Sequence, residues 1–145
     1  MAELMLLGIE EQVLELEPDE NPGDVFPCLP CEGVHGELRA QLYAQLLGLF
    51  YDEAESLEEL TLEFGPYGPY VFKLHVTIVE QLAELSEDDI DNIAVSWAES
   101  ADLSSLNLNT EDLQEVLSRF IYNLMHFCIL TNQEKVLSVF IYSDG

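Results

Sequence analysis

The stretch Leu60-Thr61-Leu62-Glu63-Phe64-Gly65-Pro66-Tyr67-Gly68-Pro69-Tyr70-Val71-Phe72-Lys73-Leu74 decides the fold class. Leu60, Leu62 and Phe64 alternate with polar residues, which is the period of a strand with one buried face. Gly65 to Tyr70 breaks any regular element, because two prolines fix φ and remove donors while two glycines permit a tight turn. Val71 to Leu74 then resumes an extended pattern, so residues 60 to 75 read as a β-hairpin with a stiff aromatic loop.

Helical periods lie on both sides of this hairpin. Upstream, Leu38, Leu42, Leu46, Leu49 and Phe50 predict an amphipathic helix over 36–50. Residues 52–59 read as an acidic connection or frayed helical turn. Downstream, Val79, Leu82 and Leu85 place a helix over 76–85. Ser86, with Asp89 three residues on, opens another whose buried stripe is Ile90, Ile93, Ala94, Trp97 and Ala101. Asn109-Thr110-Glu111-Asp112 is a further N-terminal signal, with acids where the helix dipole favours them. Behind it Leu113, Val116, Leu117, Phe120, Ile121, Leu124, Met125 and Cys128 trace one face of the longest helix. Tyr122, Phe127 and Ile129 widen that face, which suits a central position or a second subunit.

The ends of the chain supply more strands. Lys135 to Tyr142 is β-rich and apolar on both faces, as in an interior strand covered on two sides or one paired across a dimer. Residues 12–17 alternate and predict a first strand, and Pro18 to Pro30, with its prolines and an Asn-Pro-Gly, reads as a loop. The expectation is a single α+β domain over 1–145. Residues 1–30 form a strand and a Pro-rich loop, and residues 34–145 form the core. A small, mostly antiparallel sheet of about four strands packs against about four helices.

Composition restricts function more than any motif does. Twenty-nine Asp and Glu face only Arg39, Lys73, Arg119 and Lys135, for a net charge of −25, and the first 24 residues hold eight acids and no base. Such a field repels nucleic acid and anionic membrane and attracts basic surfaces. Hydrophobic residues nevertheless make up 48% of the chain, enough for a core and too many for a disordered protein. No run approaches the ~20 apolar residues of a membrane span, and the first residues lack the basic start of an export signal, so a cytoplasmic protein is expected. Three cysteines in such a compartment default to free thiols.

Candidate chemistry is sparse. Cys28-Leu29-Pro30-Cys31 followed by His35 has the spacing of a zinc knuckle or a redox dithiol. A structural zinc site needs four ligands, however, and Gly33 and Gly36 interrupt the helix that would acidify a redox thiol. Asp52 to Glu63 has the length of a calcium loop, but Ala54 and Leu57 stand where a ligand and a glycine are required. Ser86 to Asp91 reads as a solvated helix start. Neither a nucleophile elbow, nor a phosphate-cradling loop, nor H-E-x-x-H occurs, and His75 and His126 read as core or rim residues. No catalytic residue or cofactor is expected.

What stands out is binding character. Tyr67 and Tyr70 sit on a stiff loop, where aromatic side chains are buried by a partner at little entropic cost. Glu53, Glu58, Glu59, Glu87, Asp88, Asp91, Glu111 and Asp112 are the acids expected to meet a basic partner. Carboxylates at i and i+4 of a helix stand ~5–6 Å apart, a spacing close to that of backbone phosphates. The functional expectation is an acidic protein-binding module of inhibitor or immunity type. A homodimeric structural subunit and a metal-binding protein built on Cys28, Cys31 and His35 are the alternatives.

Three segments, Ala94-Val95-Ser96-Trp97-Ala98-Glu99, Asn109-Thr110-Glu111-Asp112-Leu113 and Lys135-Val136-Leu137, follow the Gly-Pro-Tyr-Gly-Pro hairpin in this order. Residues 60–142 thereby resemble a group of uncharacterised small acidic bacterial proteins. The resemblance implies a bacterial origin and similar domain boundaries. It implies no activity, and it leaves out Cys28-Leu29-Pro30-Cys31.

Overall fold

The computed structural model describes residues 3–100 and 108–144. Its elements in chain order are β1 (Glu3–Ile9), α1 (Glu10–Val13), β2 (Cys28–Pro30), α2 (Gly36–Leu47), α3 (Tyr51–Glu55), β3 (Glu58–Glu63), β4 (Tyr70–Leu74), α4 (Val76–Ala83), α5 (Glu87–Ser100), α6 (Thr110–Gln133) and β5 (Leu137–Ser143). A short 3₁₀ turn lies at Pro22–Asp24. The strands form one sheet of order β2-β1-β5-β4-β3, antiparallel at every pairing. The α+β class is as read from the sequence, with five strands where about four were expected.

β5 is central because its residues are apolar on both faces. Val139 and Ile141 join Met5, Leu7 and Leu74 beneath the helices, while Phe140 joins Leu6 and Val71 on the opposite face. Both edges of β5 are taken, by β1 and β4, so it has no edge left for pairing across a dimer. The helix-covered face holds the main core. There Trp97 of α5 packs at a tilt against Phe120 of α6, centroids 5.9 Å apart, and donates its indole N–H to the Leu38 carbonyl at 2.9 Å. That bond satisfies the one polar atom of the indole, which is the condition for burying it. α6 is capped by Asn109, whose side chain accepts the Asp112 N–H at 2.8 Å, and the Ser86 hydroxyl bonds Asp89 at 2.9 Å at the start of α5.

The first strand lies at Glu3–Ile9, not at 12–17. All seven residues of β1 pair with β5, and the run Met5 to Leu7 is buried. The alternating stretch instead forms α1 and a turn, and its two buried residues, Val13 and Leu16, are three apart as a helical turn requires. They cover the lower face of the sheet together with Phe26. Gly8 allows this close cover: a Cβ there would stand 2.8 Å from the Phe26 ring and 3.1 Å from Val13.

Inside the expected loop, Cys28–Pro30 forms a three-residue edge strand against β1. An edge tolerates Pro30 because one side of the strand needs no donors. Helix α2 ends at Leu47, where Gly48 takes the left-handed conformation at φ 66°, so Phe50 leaves the apolar face and is 82% exposed.

The hairpin forms with one irregularity. Thr61 is an extra residue between the pairs Leu60–Phe72 and Leu62–Val71, and its hydroxyl donates to the Val71 carbonyl at 3.0 Å. A bulge of this kind changes the facing of the residues on either side of it. Leu60, Leu62 and Phe64 therefore do not share a face: Leu62 and Phe64 pack on the lower cluster, and Leu60 is 48% exposed. In the long helix Phe127 is buried in the core, and Tyr122 is 42% exposed. The expected buried residue Ala101 lies outside the described residues.

Candidate functional site

Among the described residues Arg39 is the only charged one that is buried, at 1% exposure, and the fold is tied around it. Helix α2 carries it toward the sheet, where two strand ends supply carboxylates. Its Nε and Nη2 donate to the two oxygens of Glu58 on β3 at 2.7 and 2.9 Å, a bidentate fork. Nη1 donates to Glu3 Oε1 on β1 at 2.9 Å and to the Val34 carbonyl at 2.7 Å, and Nη2 reaches Glu3 Oε2 at 3.4 Å. The Tyr43 hydroxyl, one turn further along α2, donates to Glu58 Oε2 at 2.7 Å.

Burial opposes the charge on Arg39, but the hydrogen bond and charge of Glu58 outweigh it and hold the guanidinium ionised. Burial raises the Tyr43 phenol well above its ordinary value, with Glu58 adding to the effect. Burial likewise pushes the neighbouring Cys31 thiol up to about 12. Glu58, expected among the partner-facing acids, therefore turns inward. Its side chain is 10% exposed, because the one buried arginine needs a bidentate partner on the adjoining edge strand.

The other cations are engaged as well. Lys73 pairs with Glu10 at 3.3 Å, Arg119 with Glu32 at 2.9 Å and with Glu115 at 3.8 Å, and Lys135 donates to the Asn132 side chain at 2.8 Å. Around them the remaining expected acids Glu53, Glu59, Glu87, Asp88, Asp91, Glu111 and Asp112 are all exposed. Glu87 and Asp91 are i and i+4 on α5, and Asp91 meets Ser118 of α6 at 3.2 Å. The groove between these helices combines those acids, Glu115 and the paired cation Arg119 with the part-exposed Val95 and Tyr122. Glu111 and Asp112 lie in the first turn of α6, just before the groove residues Gln114 and Glu115, and Glu53 and Glu59 stand on α3 and β3.

The loop tyrosines divide. Tyr67 is 89% exposed, whereas Tyr70 is half-buried, with its hydroxyl donating to the Pro66 carbonyl at 2.6 Å. The Cys28–Cys31 pair is taken apart by the sheet. Cys28 faces the lower cluster opposite Leu6, and Cys31 is buried in the main core beneath the helices. Two thiols on opposite faces serve neither one metal nor one disulfide. Half-buried His35 stands at the N-cap position of α2 without a side-chain capping bond, exposed His75 accepts the Thr77 N–H on its Nδ1 at 3.1 Å, and exposed His126 meets the Tyr122 ring at a tilt, centroids 4.4 Å apart.

Beside the Arg39 cluster lies a recess of about 340 Å³, bounded by α2, α3 and the sheet. Glu3, Glu37, Glu55, Glu58 and Arg39 itself provide its charges, and Tyr43, Tyr51 and Phe72 its aromatic wall. Sequence reasoning missed this assembly. The available signal was Arg39 itself, one of four cations in the chain, set beside the apolar face of a helix. No family model matches the chain, and neither a curated protein nor a solved structure matches it, so the resemblance to small acidic bacterial proteins rests on its motifs alone.

Proposed function

We propose that the protein is an acidic protein-binding module of inhibitor or immunity type that covers the basic surface of a partner in the cytoplasm, without a catalytic step of its own. The observation that carries this reading is the disposition of charge. Each of the four cations is committed to a partner within the chain, Arg39 in the core and the others at the surface. The carboxylate excess of a −25 chain is thus left to act outward. A field of this kind steers a basic partner into contact and rejects acidic ones. The groove between α5 and α6 is the part of that surface best suited to contact, since Val95 and Tyr122 add apolar area to the carboxylates of Glu87, Asp91 and Glu115.

The test is a pull-down from the protein's own cells at low and at moderate salt, with mass-spectrometric identification. The native chain runs beside the charge-reversed variant Glu87→Lys, Asp88→Lys, Asp91→Lys. A basic protein held by the native chain, released by salt and not held by the variant is the expected result. Capture that is indifferent to both salt and reversal overturns the reading.

A further inference from the structure

Residues 10–26 form a strap across the lower face of the sheet. The strap leaves β1 at Glu10 and returns into β2 at Cys28, so both of its ends are held by adjacent, paired strands. Between those ends Val13, Leu16 and Phe26 turn inward and close over Leu6, Val71 and Phe140, which are fully buried. Apart from these three and Pro22, residues 11–27 are exposed. Gly8 is the seat on which the strap rests, since a Cβ there would stand 2.8 Å from the Phe26 ring.

Little else ties the strap down. Its turns close on themselves: the Leu14 N–H donates to the Glu10 carbonyl at 2.9 Å, Leu16 to Val13 at 3.1 Å and Phe26 to Pro22 at 2.9 Å. Single turns of this kind do not persist once lifted from a supporting surface. Among the described residues its one ion pair with the body is Glu10 with Lys73 at 3.3 Å, between side chains 43% and 34% exposed, and a pair so exposed is worth little.

Charge works against closure. The strap carries seven of the chain's 29 acids and none of its four cations, and the body beneath it is negative as well. One exposed attraction therefore stands against six further carboxylates held near a surface of their own sign. Salt weakens both effects, but the repulsion is the more numerous and the longer in range, so screening favours the closed strap. Segments with few buried apolar contacts open before the rest of a fold does. The helix-covered core, built on Trp97, Phe120 and the α6 stripe, has no part in this balance.

We propose that the strap is a cover governed by ionic strength. It lifts from the lower face as a unit while the main core stays folded, and it does so more often at low than at moderate salt. Each opening uncovers the apolar row of Leu6, Val71 and Phe140.

The test places a thiol under the strap with Val13→Cys and follows iodoacetamide labelling, peptide by peptide, in urea below the unfolding midpoint. The native Cys128, buried in the main core, reports global opening. The introduced thiol is expected to label faster than Cys128 and with a shallower urea dependence, because lifting the strap exposes less surface than unfolding. Its labelling should slow as salt rises from about 10 mM to about 150 mM. Adding Gly8→Ala, which drives a methyl into Phe26, should speed it by about fivefold to 150-fold. In the native chain the amides of Leu14, Leu16 and Phe26 should exchange with deuterium sooner than those of β5, with the same salt dependence. An introduced thiol that labels at the rate and urea slope of Cys128 overturns the separate opening. So do strap amides in the native chain protected as strongly as β5, whatever the variant shows. Labelling that is unchanged or faster as salt rises overturns the control by charge.

Discussion

Arg39→Met removes the guanidinium while keeping most of the buried stem, and the consequence follows from what is left behind. Glu58 loses two donors and Glu3 two, and both carboxylates stay largely buried beside Tyr43 at the wall of the recess. Removing one partner of a buried ion pair costs about 3–5 kcal/mol, mostly the penalty of the orphaned charge and not the worth of the pair. For a chain of this length each kcal/mol moves the melting temperature by about 2–4 °C. A fall of roughly 6–20 °C is therefore expected. Urea unfolding followed by Trp97 fluorescence measures it, since the indole is buried and hydrogen-bonded to Leu38.

One further feature makes the prediction specific to charge. The double variant Arg39→Met, Glu58→Gln should recover part of the loss, giving a coupling energy of at least about 1 kcal/mol. A single-variant loss below about 1 kcal/mol, with no recovery in the double variant, would refute the reasoning.

Four other outcomes follow from the same structure. Cys31 and Cys128 are both held up to about 12 by burial, against 9.0 for a free thiol, and burial also raises Tyr43. Protonated in the fold and ionised in the unfolded chain, these groups contribute stability that is complete below pH ~9 and is lost as pH rises through ~12. The urea midpoint should fall steeply across that window and less steeply in Cys128→Ala. Gly8→Ala drives a methyl into Phe26 and Val13 and should destabilise by about 1–3 kcal/mol in the same assay. Raising salt from about 10 mM to about 150 mM, where the screening length falls to ~8 Å, should raise the melting temperature of a −25 chain, measured by differential scanning calorimetry. Tyr67→Ser, at an 89% exposed position, should leave that temperature unchanged and weaken partner capture.

The parts of the fold legible in the sequence were those with a long, regular period. The α6 stripe from Leu113 to Cys128, the Asn109 cap and the two-faced apolar strand all state their environment locally, and each lies where expected. Short elements were misread where tertiary partners decide. The run at 12–17 alternates like a strand, but Val13 and Leu16 face the sheet from a helical turn, and β1 forms from the run that β5 can pair along its full length. Cys28–Pro30 becomes a strand only because β1 lends it an edge.

The same locality limited the reading of the site. The exposed acids of α5 and α6 were legible because helix starts favour carboxylates and leave them in water. Glu58 could not be told from Glu59 by type or spacing, and only the arrival of Arg39 from a residue 19 positions away turns one inward. Glu3 and Arg39 are 36 positions apart, so their pairing has no local signature. The Cys-x-x-Cys spacing misled for the opposite reason: its residues are close in sequence, but the end of β2 sends them to opposite faces of the sheet.

The central claim is that outward carboxylates hold a basic partner. Its most direct test is the salt dependence of the dissociation constant for the captured partner, measured by titration calorimetry for the native chain and for the neutralised variant Glu87→Gln, Asp88→Asn, Asp91→Asn. Affinity that falls as salt rises, with a shallower salt slope and weaker binding in the variant, is the predicted result. A dissociation constant that is the same in both proteins at every salt concentration would contradict it.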